Sequence, residues 1–334
     1  MVHTRYKEQV VTLRAQLYAK TLVKLMVSGG LIALLAYKLD TPTVRDGLLG
    51  VDRGVFLTAL FSLVLLIALQ GWRWLVVARA LRLTVDLPTA IALSFVGSFF
   101  SQLMPSAVGG DAVRVYRLYK SGVSLGQAFD STLIDRVLAV IGLVLLAFGG
   151  AFVFGWTRMP TQLTALLGVF TAAAVVGMAV LLNLDRAPLP RWIARHVMLH
   201  KITRVSADAR LICQAPWALL AAIGASLVAH VGVSGTFWFL GRHTGLGVDF
   251  AGCVAIVPLA TLLTMLPISV GGWGVREGAL VLALTAVGGN SVAALVTSIL
   301  LGVATACASL PGAIVWLGDS RRRSRERSRT LETS

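Results

Sequence analysis

Long apolar runs punctuated by short polar gaps set the pattern of this chain. Runs long enough to span occupy 21–37, 54–78, 131–154, 161–183, 216–240 and 291–317. Each approaches or exceeds the roughly 20 residues that a helix needs to cross about 30 Å of hydrocarbon. Two further runs, 89–104 and 250–266, are shorter, and each ends at a proline followed by paired glycines. The pattern predicts an all-α polytopic membrane protein with six spanning helices and two interrupted segments.

The two interruptions repeat one another. Pro105-Ser106-Ala107-Val108-Gly109-Gly110-Asp111-Ala112-Val113-Arg114 reads P-x-x-V-G-G-x-x-V-R, and Pro267 to Arg276 reads the same at every fixed position, 162 residues later (105 to 267). Lipid cannot satisfy freed backbone groups, so a Pro and Gly-Gly break at membrane depth belongs where protein or a water-filled cavity covers it. A matched pair of breaks in two halves points to a binding site of transporter type.

Basic residues decide how the segments thread. They cluster at Arg5 to Lys24, at Arg186 to Arg210 and at Arg321 to Arg329, and the positive-inside rule places all three clusters, with both termini, in the cytoplasm. That is consistent only if 89–120 dips into the membrane and returns to the same side. The same argument makes 250–288 a hairpin entering from the opposite face. The halves then run antiparallel, as an inverted-topology repeat. The predicted divisions are a cytoplasmic amphipathic N-terminus (1–20), a first repeat (21–160) with hairpin 89–120, a second repeat (161–317) with hairpin 250–288, and a basic cytoplasmic tail (318–334).

Composition agrees with this picture and removes alternatives. Over 334 residues, 57% are hydrophobic and 13% charged, and the mean hydropathy is +0.81. The net charge of +15 would suggest nucleic acid in a soluble protein, but here cytoplasmic loops account for it, and no nucleic-acid partner is expected. Cys213, Cys253 and Cys307 lack metal-ligand spacing and read as small hydrophobes. His196 and His200 stand at i, i+4 without a third ligand in sequence, so neither a metal nor another cofactor is expected. The remaining partners are a membrane lipid, and a second copy of the chain or a lipid-biosynthesis protein.

Candidate chemistry concentrates in the hairpins. After Gly109-Gly110 a half-helix can start with Asp111 as N-cap, and after Gly271-Gly272 another starts through Trp273-Gly274-Val275-Arg276-Glu277. A helix start with unpaired N–H groups favours an anion, and paired glycines allow positive φ and close backbone approach. Arg114 and Arg276 follow within one turn, and the planar guanidinium suits phosphate or carboxylate. Two readings stand for them: the pair binds an anionic headgroup, or Arg114 pairs with Asp111 or Asp135 and Arg276 with Glu277 to fix the hairpins. Asp135 and Arg136 form a candidate supporting ion pair. Arg73 is expected to snorkel to the interface, His230 to bond a neighbouring helix, and Trp156, Trp217, Trp238 and Trp316 to sit in an aromatic belt.

M-P-S-A-V-G-G-D-A-V-R at 104–114, D-R at 135–136 and L-P-I-S-V-G-G-W-G-V-R-E at 266–277 resemble the flippase-like membrane domain of the lysylphosphatidylglycerol synthases. That family includes stand-alone relatives linked to hopanoid or polyprenyl-lipid pathways. The resemblance covers about 20–317 and implies a lipid-translocating or lipid-handling protein of the bacterial inner (cytoplasmic) membrane. It also implies that the soluble aminoacyl-transferase domain is lacking, and lysyl transfer with it. Three classes stay open: a lipid transporter, a membrane-embedded lipid enzyme, and a non-catalytic subunit of a lipid-biosynthesis complex.

Overall fold

The computed structural model describes residues 41–104, 108–183, 185–186, 197–265 and 272–318, and all regular structure among them is helical. The expected span at 21–37, the N-terminal amphipathic segment, Pro105 to Ala107, His196, 266–271 with Pro267 and Gly271, and the basic tail lie outside the described residues. The elements are α1 (Thr41–Leu49), α2 (Arg53–Ala80), α3 (Leu87–Leu103), α4 (Val108–Lys120), α5 (Leu125–Phe154), α6 (Thr161–Asn183), α7 (Val197–Cys213), α8 (Pro216–Thr244), α9 (Phe250–Thr264), α10 (Val275–Ala286) and α11 (Ser291–Ser309). A further helical stretch carries α11 on to Gly318 as one apolar span.

Five of these, α2, α5, α6, α8 and α11 with its extension, are long and apolar enough to cross a membrane, so the chain is a multi-pass membrane protein. Ordinary capping chemistry fixes the starts of α2 and α11. Asp52 Oδ1 accepts from the N–H groups of Gly54 and Val55 at 2.7 and 3.2 Å, and Asn290 Oδ1 from Ala293 at 2.9 Å. Each satisfies N–H groups that a helix leaves unpaired. Of the short helices outside the interrupted segments, α1 was not foreseen as an element, whereas α7 lies in 184–215, where Leu189, Ile193 and Val197 at helical spacing suggest a surface helix. α7 carries Arg210, whose guanidinium bonds Asp185, while its buried Val205, Ala209 and Ile212 face the bundle.

The two interrupted segments are helix pairs. At 17 and 13 residues, α3 and α4 extend only about 25 and 20 Å, short of a roughly 30 Å core. They run antiparallel: Gly109 lies against Met104, Gly110 against Gly97 and Ser101, and Arg114 against Ser94. No side chain fits at Gly110, because a Cβ there would enter the Gly97 carbonyl and the Ser101 hydroxyl. In the second half α9 and α10, of 15 and 12 residues, likewise pack on one another.

The packing of the first half recurs in the second. α2 packs on α3 as α8 does on α9, α4 on α5 as α10 on α11, α5 on α8 as α11 on α2, and α5 on α9 as α11 on α3. The last of these contacts crosses from half to half, and glycine permits both versions. A Cβ on Gly150 of α5 would stand 2.7 Å from the Val254 carbonyl oxygen of α9, and one on Gly312 would strike the Phe95 carbonyl of α3. Gly150 and Gly312 are 162 residues apart (150 to 312), the offset of the repeated motif. By contrast α6 buries only Leu167 among its 23 residues and lies at the periphery.

Candidate functional site

The first hairpin brings Arg114 against the two long helices behind it. Arg73 of α2 donates from Nε and Nη2 to the two carboxylate oxygens of Asp135 on α5 at 2.9 and 3.0 Å. Its Nη1 donates to the Ser226 hydroxyl of α8 at 3.2 Å. Arg136, one residue on from Asp135, donates from Nε and Nη2 to both oxygens of Asp111 on α4, each at 2.7 Å. Arg114 stands between these pairs. Its Nη1 approaches Asp135 at 3.5 Å, its Nη2 donates to Ser94 at 3.2 Å, and its guanidinium lies 4.4 Å over the ring of Trp74.

The Arg73–Asp135–Arg114 centre of this cluster is deep, while the Arg136 side chain is 41% exposed. Arg73, Arg114 and Asp135 are 3%, 5% and 1% exposed, at a place where charge is costly unless paired or hydrogen-bonded. The charges do not cancel: three arginines meet two aspartates, leaving one positive charge in excess. Arg73 and Arg136 each claim a carboxylate through both oxygens, the strong fork geometry. Among the described residues Arg114 keeps only the longer contact to Asp135, and its Nε finds no hydrogen-bond partner, nor does Nε1 of the fully buried Trp74 beneath it. A polar cavity of about 20 Å³ opens here, lined by Gln70, Ser94, Ser98, Asp111, Arg114 and Asp135 among others. That is room for about one water molecule, so a larger guest requires the hairpin to move away from α2 and α5.

The second hairpin is built differently. Gly272 and Gly274 adopt φ of +82° and +83°, which favours glycine, and α10 starts behind them. Glu277, wholly buried, accepts from the Gly274 N–H at 2.6 Å, from Arg276 Nη2 at 2.5 Å and from the Ser298 hydroxyl of α11 at 3.3 Å. Arg276 lies 4.9 Å over Trp273, and both rest on Gly302, where a Cβ would meet them. Charge is balanced here by the arginine's own neighbour. At the motif's offset Thr297, Ser298 and Trp273 stand where the first half has Asp135, Arg136 and Asp111.

The structure thus gathers Arg114, Asp111, Asp135 and Arg136 into one cluster and Arg276, Glu277, Trp273 and Gly272 into another. The two arginines share no partner. Several expectations need correction. Asp135 and Arg136 do not pair, because Arg73 occupies both oxygens of Asp135 and Arg136 forks onto Asp111 of the hairpin. Asp111 is not an N-cap, since α4 already starts at Val108, and its carboxylate is free to hold Arg136. Gly109 and Gly110 lie within the helix and serve close packing in place of positive φ. Arg73 does not snorkel; Asp135, buried among apolar helices, needs a counter-cation and takes it. The available signal was depth: Arg73 is seven residues from the end of α2 and Asp135 ten from the start of α5, similar levels on antiparallel helices. His230 Nε2 lies 3.2 Å from the Ala139 carbonyl of α5, the expected helix-to-helix bond. Trp316 packs on Phe100 and beneath Arg117, tying the end of α11 to the first hairpin.

Comparison with known proteins gives the same family from independent ground. The family described as lysylphosphatidylglycerol synthase TM region matches residues 21–312. A UPF0104 membrane protein of Methanothermobacter thermautotrophicus is 26% identical over 281 residues, covering 77% of this chain and 83% of that protein.

Proposed function

Because this chain belongs to the lysylphosphatidylglycerol synthase TM region family, we propose that it moves an amphiphilic anionic lipid between leaflets of the cytoplasmic membrane without changing it covalently. The observation that carries the reading is the unclaimed charge of Arg114, buried beside a polar cavity at the foot of a helical hairpin. A buried cation whose Nε–H has no acceptor is suited to a ligand oxygen, and arginine's fork to phosphate.

In this mechanism the α3–α4 hairpin enters from the cytoplasmic side and α9–α10 from the other. With the five long helices, and the further span that the sequence leads one to expect at 21–37, they make two inverted repeats. The short hairpin helices, the packing partners that recur between halves, and the glycine crossings at Gly150 and Gly312 support it. Arg114 receives the headgroup when the hairpin swings from α5 and loosens the Asp111–Arg136 and Arg114–Asp135 contacts. Gly109 and Gly110 let α4 lie close to α3 as it moves. Arg276, Glu277, Trp273 and Gly272 brace the opposite hairpin, whose balanced charge makes it the gate.

Reconstitution tests this. Proteoliposomes carrying a trace of fluorescent anionic lipid should lose outer-leaflet and then inner-leaflet fluorescence to a membrane-impermeant reductant, at a rate that depends on the protein. Mass spectra of the lipid should not change. Formation of a new lipid species, or exchange no faster than in protein-free vesicles, contradicts the proposal.

A further inference from the structure

The charge count in the first pocket carries a statement about which lipid enters it. Arg73 and Arg136 are each neutralised by a carboxylate held through both oxygens. What remains is one guanidinium, Arg114, with Ser94 as neutral partner and two buried N–H groups, its own Nε and Trp74 Nε1, lacking acceptors. Resting on the transport reading above, we propose that this pocket selects a lipid bearing a single negative charge, a phosphodiester monoanion. It discriminates against both a phosphomonoester dianion and the net-cationic aminoacylated lipid for which the family is named.

Charge matching is the physical basis. A monoanion brings the buried cluster to neutrality and supplies oxygens to the two waiting donors. A dianion leaves one negative charge uncompensated in a space with little room for water. An ammonium-bearing headgroup meets three guanidinium groups and no unclaimed carboxylate, and like charges in contact are strongly disfavoured. Nothing in the second cluster relieves this, because Glu277 is committed to Arg276, Gly274 and Ser298.

The test is an exchange series in zwitterionic phosphatidylcholine vesicles at about pH 8, where a phosphomonoester carries nearly two charges. Acyl-labelled phosphatidylglycerol, phosphatidic acid, lysylphosphatidylglycerol and phosphatidylcholine are compared. Wild-type protein should exchange phosphatidylglycerol about tenfold faster than the other three. Two near-isosteric variants move the charge in opposite directions. Asp111→Asn frees Arg136 and should raise phosphatidic acid about tenfold relative to phosphatidylglycerol. Gln70→Glu, on the cavity wall, cancels the excess and should abolish the preference for phosphatidylglycerol; it also stands in for Asp111→Asn should that variant not fold. Protein-dependent exchange at equal rates for all four lipids overturns the charge selection and leaves transport standing. Absence of protein-dependent exchange for every lipid overturns the transport reading, and the selection with it.

Discussion

Arg73 and Arg114 touch the same carboxylate but do different work, and single substitutions should separate them. Arg73→Ala leaves Asp135 buried with only the 3.5 Å contact of Arg114, and stranding one partner of a buried pair costs about 3–5 kcal/mol. Arg114→Ala leaves Asp135 held at both oxygens by Arg73, so the loss should be smaller, about 1–3 kcal/mol for one charged contact. Thermal unfolding in detergent should therefore show a clearly larger drop in Tm for Arg73→Ala. Lipid exchange, corrected for folded protein, should fall about tenfold or more in Arg114→Ala. Equal Tm losses, or full exchange by Arg114→Ala, would contradict the division of roles. Arg114 was legible in the sequence because it closes the repeated motif, and Glu277 because it directly follows the second copy. Arg73 was not, because an arginine seven residues from a helix end can reach the interface. Only packing reveals that Asp135 lies opposite it.

At the scale of elements, the two glycine crossings make the structure's sharpest claim. Replacing Gly150 or Gly312 by Leu forces α5 from α9 or α11 from α3, and overpacking of this kind costs about 1–3 kcal/mol or more. Gly224→Ala is the control, since nothing lies within 4 Å of a Cβ there, and it should be neutral or stabilise α8 by about 0.5–1 kcal/mol. Comparable Tm shifts for Gly224→Ala and Gly312→Leu would refute the crossing. Outside the membrane, a hydrogen bond from Arg210 holds the Asp185 carboxyl below its usual range and, reciprocally, raises Arg210. A depressed carboxyl pKa contributes stability above its unfolded value, about 3.9, and loses it as pH falls through the folded one. The protection of α7 amides, taken relative to the intrinsic exchange rate at each pH, should hence be level across neutral pH and fall only below about pH 4. Span lengths and hairpin breaks were readable because lipid imposes length and glycine-proline punctuation. α1 was not, since a short helix resting on a bundle leaves little periodic signal among charged residues.

For the whole molecule, the orientation inferred from charge is open to labelling. Cys213 is exposed beside the start of α8, on the side assigned to the cytoplasm, and should not react in intact cells with a membrane-impermeant thiol reagent. After Cys213→Ser, a cysteine replacing exposed Arg158 or His243 should react from outside, while one replacing Gly122, exposed between α4 and α5, should not. Outside labelling at Gly122 reverses the assigned sidedness. The proposal of an inverted arrangement starts from a motif repeated at fixed offset. What lay beyond the sequence was the unequal chemistry of its two copies, because a shift of the carboxylate from α5 to residue 277 matters only once the neighbours are known. The central claim, that the Arg114 pocket holds an anionic headgroup, is tested most directly by native mass spectrometry of protein extracted with its membrane lipids. Wild-type protein should retain a singly charged anionic lipid that Arg114→Ala loses and Arg276→Ala keeps; equal retention of that lipid by all three would contradict the account.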